Sequence, residues 1–236
     1  MKKQIIMLFG PPGAGKGTQA ELLADKLGYY YFETSKILEK EFKRVEEFSK
    51  KSSKRFVVIG QEKFDIFNEK KLWEDGVLCS PSFVTYLVKK RIQELLNEGE
   101  SLILAGSPRT VPEAEELTPF LKKLYGKENI KAFLIEITPK ETIFRNSHRR
   151  ICELMRHPVL YNNETKNLKK CTLDGSKLIR RKGLDDMDSI KVRLDEYKNR
   201  TFPIFDILKK QGIIIKKING GKSPSEVHKE ILKYVS

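Results

Sequence analysis

The clearest chemistry in the chain lies in Gly10-Pro11-Pro12-Gly13-Ala14-Gly15-Lys16-Gly17-Thr18. Gly-x4-Gly-Lys between an apolar run and a helical pattern is the spacing of a phosphate-binding loop. Glycines let successive N–H groups turn inward around phosphate oxygens, and the helix that follows adds the positive end of its dipole. Gly13, Ala14, Gly15, Lys16, Gly17 and Thr18 are therefore candidate phosphate ligands, with Lys16 placed to neutralise the β- and γ-phosphates. Gly17 stands where the general pattern has Ser or Thr, and the hydroxyl comes one residue later, at Thr18.

The elements around this loop alternate. Gln4 to Phe9 reads as a first strand and Lys16 to Leu27 as a helix, with Leu22, Leu23 and Leu27 on one side and Gly28 placed to end it. Residues Phe83 to Asn97 repeat the helical pattern. Ser101 to Ala105, Phe133 to Ile137 and Ile213 to Ile218 are near-continuous apolar runs, as expected of strands buried on both faces of a parallel sheet. Ser223-Pro224-Ser225-Glu226 is a capping box that starts a last helix. Two stretches break the rhythm. Residues Glu41 to Asp75 are charged, with a hairpin expected at Gly60-Gln61. Residues Ile151 to Lys182 are polar and lack helical periodicity. Both read as movable covers on a rigid sheet.

With 236 residues, 33% of them charged, the chain suits one α/β domain carrying inserts. No apolar run reaches the roughly 18 residues of a membrane helix, and Ile5 to Phe9 is too short for a secretory h-region. Three cysteines, an odd number, fit a reducing cytoplasm better than a disulfide framework. The net charge of +14 favours polyanions such as nucleotides, nucleic acid or an acidic surface. Much of it sits in exposed lysine pairs, and no interleaving of aromatic and basic residues marks an RNA surface. We expect no nucleic-acid partner and no membrane.

GPPGAGKGTQ resembles the adenylate kinase form of the loop, and further segments extend the resemblance in order along most of the chain. Gly76-Val77-Leu78-Cys79-Ser80 is similar to the segment whose backbone faces the adenine of AMP. Gly106-Ser107-Pro108-Arg109-Thr110 resembles the signature whose arginine grips the monophosphate. Arg145 to Arg150 resembles the arginine pair that opens the LID, Asp185-Asp186 with Arg193 to Tyr197 the segment after it, and Asn219 to Lys222 the loop beside the ATP base. The resemblance implies a three-layer P-loop NTPase fold with a parallel five-stranded sheet. Core pieces would span 1–29, 80–149 and 186–236, an NMP-binding insert 30–79 and a LID 150–185. It implies a monomeric enzyme that uses ATP with Mg2+ and a monophosphate, AMP favoured. Arg109 and Arg193 would act with Lys16, Arg145 and Arg149 on the transferring group. Arg145, Tyr161 and Lys222 would join the ATP side, and Thr34, Val77, Cys79, Gly106 and Glu113 the acceptor side. A second LID-side arginine is Arg180 or Arg181.

Four positions depart from the family pattern. The acceptor-side arginine falls on Glu39. A carboxylate about 4 Å from a phosphate would cost about 4 kcal/mol at an effective dielectric near 20, so Glu39 is expected to point away, with Lys40, Arg44 or an insert residue as the replacement cation. The acid at the end of the third strand is Ala105, which removes an organiser of magnesium's hydration shell. The adenine-reading glutamine is Glu113, which accepts from an exocyclic amino group but donates to a ring nitrogen only when protonated. This opens a CMP or UMP kinase as an alternative, and Ala105 with Glu39 opens a non-catalytic nucleotide binder. In the LID, Met155 replaces one cysteine of a zinc knuckle. His157 could complete a set with Cys152, Cys171 and Asp174; otherwise the knuckle survives without metal, by packing.

Overall fold

The computed structural model describes residues 3–48, 55–181 and 184–235. Residues 1–2 and 236, the part of the charged stretch at 49–54, and Lys182 at the end of the polar stretch lie outside the described residues. The first strand, β1 (Ile5–Phe9), is buried along its whole length. Successive side chains of a strand point to opposite faces. Ile5, Met7 and Phe9 therefore enter one apolar cluster, and Ile6 and Leu8 enter the other.

The loop after β1 leads into α1 (Lys16–Leu27), which Gly28 ends in a left-handed conformation at φ 68°. This helix buries Gln19, Ala20 and Leu23, whereas Leu22 is exposed. Neighbouring helical residues diverge by about 100°, so Leu22 and Leu23 cannot share one face. Next come β2 (Tyr30–Phe32) and α2 (Thr34–Phe48), the latter running well into the charged stretch. Beyond it β3 (Phe56–Ile59) and β4 (Glu62–Asp65) form the hairpin turning at Gly60-Gln61, followed by α3 (Ile66–Glu74). In α4 (Pro81–Asn97), Val84, Leu87, Val88, Ile92 and Leu95 are buried.

Strand β5 (Leu102–Ala105) leads to α5 (Val111–Tyr125), whose cap Thr110 accepts from the Glu113 N–H. Strand β6 (Ile130–Glu136) begins earlier than its densest apolar run, and α6 (Pro139–Ser147) follows on a capping box at Thr138 and Glu141. The polar stretch holds a small sheet in the order β8 (Pro158–Val159), β7 (Arg150–Cys152), β9 (Leu178–Ile179). After it come α7 (Met187–Glu196), a π-helical turn at Tyr197–Thr201 and α8 (Ile204–Lys210). The last strand, β10 (Ile215–Asn219), starts later than the apolar run because the Ile213 N–H closes the end of α8 on Leu208 O. The capping box at Ser223 and Glu226 starts α9 (Pro224–Leu232) as expected.

The main sheet is five-stranded in the order β10-β6-β1-β5-β2, parallel throughout. Helices α1 and α9 cover one face, and α4, α5 and α8 the other. All five strands therefore end at one edge of the sheet, where the loops after β1, β2, β5 and β10 come together. In such sheets that edge is where ligands bind. Among the described residues no helix is long and apolar enough to cross a membrane.

Candidate nucleotide-transfer site

The loop after β1 is shaped by glycine. Gly13 and Gly15 hold φ of 83° and 91°, which L side chains adopt only with strain. A Cβ on Gly13 would also lie 2.6 Å from Asn146 Nδ2, and one on Gly17 would lie 3.3 Å from the Tyr31 hydroxyl. Ala14 is buried, its N–H donating to Pro11 O, and Thr18 is half-buried in the first turn of α1. Lys16 Nζ donates to Gly10 O at 2.7 Å and Pro11 O at 3.0 Å.

Three guanidinium groups surround this amine. Burial holds Lys16 well below the usual lysine range, and Arg109, Arg193 and Arg149 push it further down. Burial draws Arg193 down to about 9, helped by Arg181, Arg149 and Arg109 and opposed by Asp185. Arg149 falls to about 10, from burial and then Arg181. Arg109 is lowered by burial against the pull of Glu113. Lys16 and the arginines that depress it share one recess, and crowding cations there is favourable only when a polyanion joins them. Lys16, Arg109 and Arg193 line one cleft with Gly76, Leu78 and Gly106.

The other expected residues fall around this recess. Arg145 donates to Gly220 O at 2.8 Å, tying α6 to the loop after β10. Thr34 and Ser107 are buried with their hydroxyls 2.9 Å apart. Cys79 is buried and donates to Glu69 O at 3.4 Å, while the Val77 N–H is spent on Leu72 O. A Cβ on Gly106 would lie 2.7 Å from Arg109 Nη2, so glycine there leaves the guanidinium its place. Glu113 is buried, accepting from Arg109 N at 3.1 Å and from the Thr110 hydroxyl at 2.9 Å. Burial raises its carboxyl. Two expected ATP-side residues have other partners: Lys222 Nζ pairs with Glu230 at 2.9 Å, and Tyr161 packs 4.5 Å from the His148 ring.

Arg180 and Arg181, not separable by sequence, differ in the structure. Arg180 donates to the carbonyls of Ser147 and Asp185. Arg181 meets the Asp185 carboxylate with two hydrogen bonds and lies close enough to Arg149 and Arg193 to depress both. Of the replacement cations considered for Glu39, Arg44 is bound to Glu41 of its own helix, and Lys40 is exposed. Glu39 is half-buried in α2. Glu69, Glu196 and Arg200 also meet the cleft wall at Leu78 to Ser80. Sequence reading did not single them out; the only local trace was the four-residue spacing of Glu196 and Arg200.

Far along the chain, Cys152, His157, Cys171 and Asp174 converge, with one ligand atom of each within 4.8 Å of all the others. Cys171 Sγ and Asp174 Oδ2 each lie 3.7 Å from a His157 ring nitrogen. Asp174 Oδ2 is buried and receives no hydrogen bond. The Leu173 N–H points at Cys171 Sγ at 3.4 Å. Soft sulfur and imidazole with one carboxylate form a donor set for a four-coordinate metal. Met155, the expected departure, is exposed.

A parallel sheet that ends in a phosphate-binding loop, with arginines from three other segments facing its lysine, defines a P-loop enzyme of phosphoryl transfer. The adenylate kinase family model matches residues 8–213. The chain is 32% identical over 232 residues to adenylate kinase of Methanothrix thermoacetophila, covering 98% of each. It is 33% identical over 229 residues to that of Petrotoga mobilis, covering 96% of this chain and 94% of the relative. A third similar protein, adenylate kinase of Elusimicrobium minutum, is 32% identical over 236 residues, with 98% of each covered. The chain belongs to the adenylate kinase family, and is an ATP-dependent nucleoside monophosphate kinase.

Proposed function

We propose that the chain transfers the γ-phosphoryl group of ATP directly to AMP, giving two ADP. The observation that carries this reading is that Lys16 is buried beside Arg109, Arg149 and Arg193, which press its charge down, and that Arg109 and Arg193 line the same cleft as Lys16. The four cations come from separate segments around the cleft, an arrangement that suits two nucleotides meeting end to end. In phosphoryl transfer the protein's work is positioning and charge stabilisation. Lys16 and the amides from Gly13 to Thr18 hold the donor phosphates. Arg109 holds the acceptor phosphate in line, and Arg149 and Arg193, with Arg181 of the pair, close on the transferring group. Arg145 ties the loop to the donor side, where Tyr161 and Lys222 flank the base. Thr34, Val77, Cys79 and Gly106 shape the acceptor side.

Magnesium would enter with ATP and offset part of the negative charge of its phosphates. The Thr18 hydroxyl would be the loop's side-chain ligand for it, and Ala105 supplies no carboxylate to organise its hydration shell. Cys152, His157, Cys171 and Asp174 would hold structural zinc that stiffens the LID; the unsatisfied Asp174 Oδ2 supports this. The inserts at 30–79 and 150–185 act as covers over core pieces 1–29, 80–149 and 186–236, excluding water that would otherwise take the phosphate. Because one chain supplies every cation of the recess, a monomer suffices. Three free, buried cysteines suit a reducing cytoplasm.

A second reading, with CMP, UMP or another monophosphate as acceptor, is motivated by Glu113, which stands where the family has its adenine-reading glutamine. ³¹P detection of the diphosphate formed from ATP and each monophosphate, with and without magnesium, tests both. AMP is expected to be the preferred acceptor. A rate with AMP at least tenfold below that with a pyrimidine nucleotide would overturn the adenylate assignment, and no product from any acceptor would overturn the kinase.

A further inference from the structure

Both polar groups of the Leu78 backbone are taken by side chains 118 and 122 residues further along the chain. The Leu78 N–H donates to Glu196 Oε2 at 3.0 Å, and Leu78 O accepts from Arg200 Nη1 at 3.2 Å. The same Glu196 oxygen accepts from Arg200 at 3.0 Å, which closes the arrangement into a ring. Glu196 is the last residue of α7, and Arg200 lies in the π-helical turn after it. Turns of this kind are often found at functional sites. Leu78 and Glu196 also line the cleft that holds Lys16 and Arg109.

We propose that Glu196 and Arg200 are positioning residues for the acceptor nucleotide, clamping the Leu78 backbone so that the wall beside its base stands at a fixed distance from Arg109. Cys79 anchors this wall in the apolar core, but its backbone is otherwise tied mainly to α3. The Gly76 and Val77 N–H groups bond back to Trp73 O and Leu72 O at the end of α3, and Ser80 N bonds Glu69 of the same helix. Segment and helix therefore form one block, and Leu78 is where that block is fastened to α7 by charged side chains. A charge-assisted bond of this kind, half sheltered from water, holds geometry better than a neutral one. The clamp uses up Leu78's own donor and acceptor, so its effect on the acceptor runs through placement of the wall. The donor nucleotide, held by the loop after β1, does not depend on it.

This inference rests on the kinase reading above, and steady-state kinetics on the full chain separates the two. Glu196→Ala and Arg200→Met are each expected to raise the KM for AMP about tenfold while leaving the KM for ATP and kcat within about twofold. Because the two side chains grip one residue's backbone and bond each other, the double variant should be little worse than either single one. Calorimetric titration with AMP should show the same loss of affinity, and thermal unfolding reports whether each variant is folded. Arg200→Met is the fallback should Glu196→Ala not fold. Equal rises in both KM values, a lowered melting temperature with unchanged KM for AMP, or additive effects would overturn the clamp. A wild-type chain that phosphorylates no monophosphate would instead overturn the kinase reading and the clamp with it.

Discussion

Arg181 meets Asp185 with both arms of its guanidinium, Nε to Oδ2 at 2.9 Å and Nη2 to Oδ1 at 2.6 Å, and Asp185 is completely shielded from solvent. The carboxylate works against the repulsion among Arg149, Arg181 and Arg193, raising what the arginines lower in one another. Removing one partner of a buried pair strands the other charge, at a cost of about 3 kcal/mol or more. Asp185→Ala should therefore destabilise the chain by about 3 kcal/mol in denaturant unfolding. Arg181→Ala should cost less, because it also removes a like charge from the recess. Equal losses would show that repulsion among the arginines is too weak to matter.

Arg149 presents the opposite balance. Its charge is drawn down by burial and by Arg181, a cost that the proposed mechanism recovers when phosphates arrive. An arginine acting on the transferring group can be worth about 10³-fold in rate. Arg149→Ala is expected to cut kcat about 10³-fold with no loss of melting temperature in the free protein. Turnover within tenfold of wild type would remove Arg149 from the transfer path.

Much of this site was legible because its signals are local. The loop after β1 needs glycine where φ is positive, and β1 is an unbroken apolar run, so a few residues suffice to see both. The capping box at Ser223 and Glu226 is equally self-contained. The short strand β2 left no such mark, having three residues, one of them exposed. Leu22 was placed with Leu23 because three leucines look like a stripe, although helical geometry turns adjacent residues apart. The grip of Glu196 and Arg200 on Leu78 depends on how α7 packs after the LID, and no window of sequence contains both partners. Arg180 and Arg181 are adjacent and alike, and only the position of Asp185 tells them apart.

With Glu113 on the acceptor side, as proposed, acceptor binding is expected to depend on pH. Burial raises its carboxyl, while the Arg109 N–H, Thr110 and the charges of Arg109 and Arg200 pull the other way. With the folded value above the unfolded one, the folded protein binds more protons between the two. This contribution to stability therefore falls as pH rises through that window. Only the protonated carboxyl can donate to N1 of adenine. The KM for AMP should fall as pH is lowered through the range in which Glu113 of the folded protein takes up its proton. In Glu113→Gln, whose amide donates at every pH, the KM above that range should be lower and the residual slope should be that of the AMP phosphate alone. Identical slopes in the two proteins would mean that Glu113 does not read the base.

Cys152, His157, Cys171 and Asp174 give a prediction that needs no activity assay. Their donor atoms lie close together, and one carboxylate oxygen is buried with no donor of its own. In water such an oxygen would be solvated, and inside a protein it is costly unless a cation or a hydrogen bond meets it. Purified protein should therefore carry about one equivalent of zinc. Cys171→Ser should lose most of it, since a hydroxyl is a far poorer zinc ligand than a thiolate. Because metal binding and local folding are coupled, a strong chelator should increase hydrogen exchange across β7 and β9 while leaving β1, β5 and β6 protected. Less than a tenth of an equivalent of metal, with exchange indifferent to chelator, would mean that Asp174 and His157 hold this cluster together by packing and ion pairing alone.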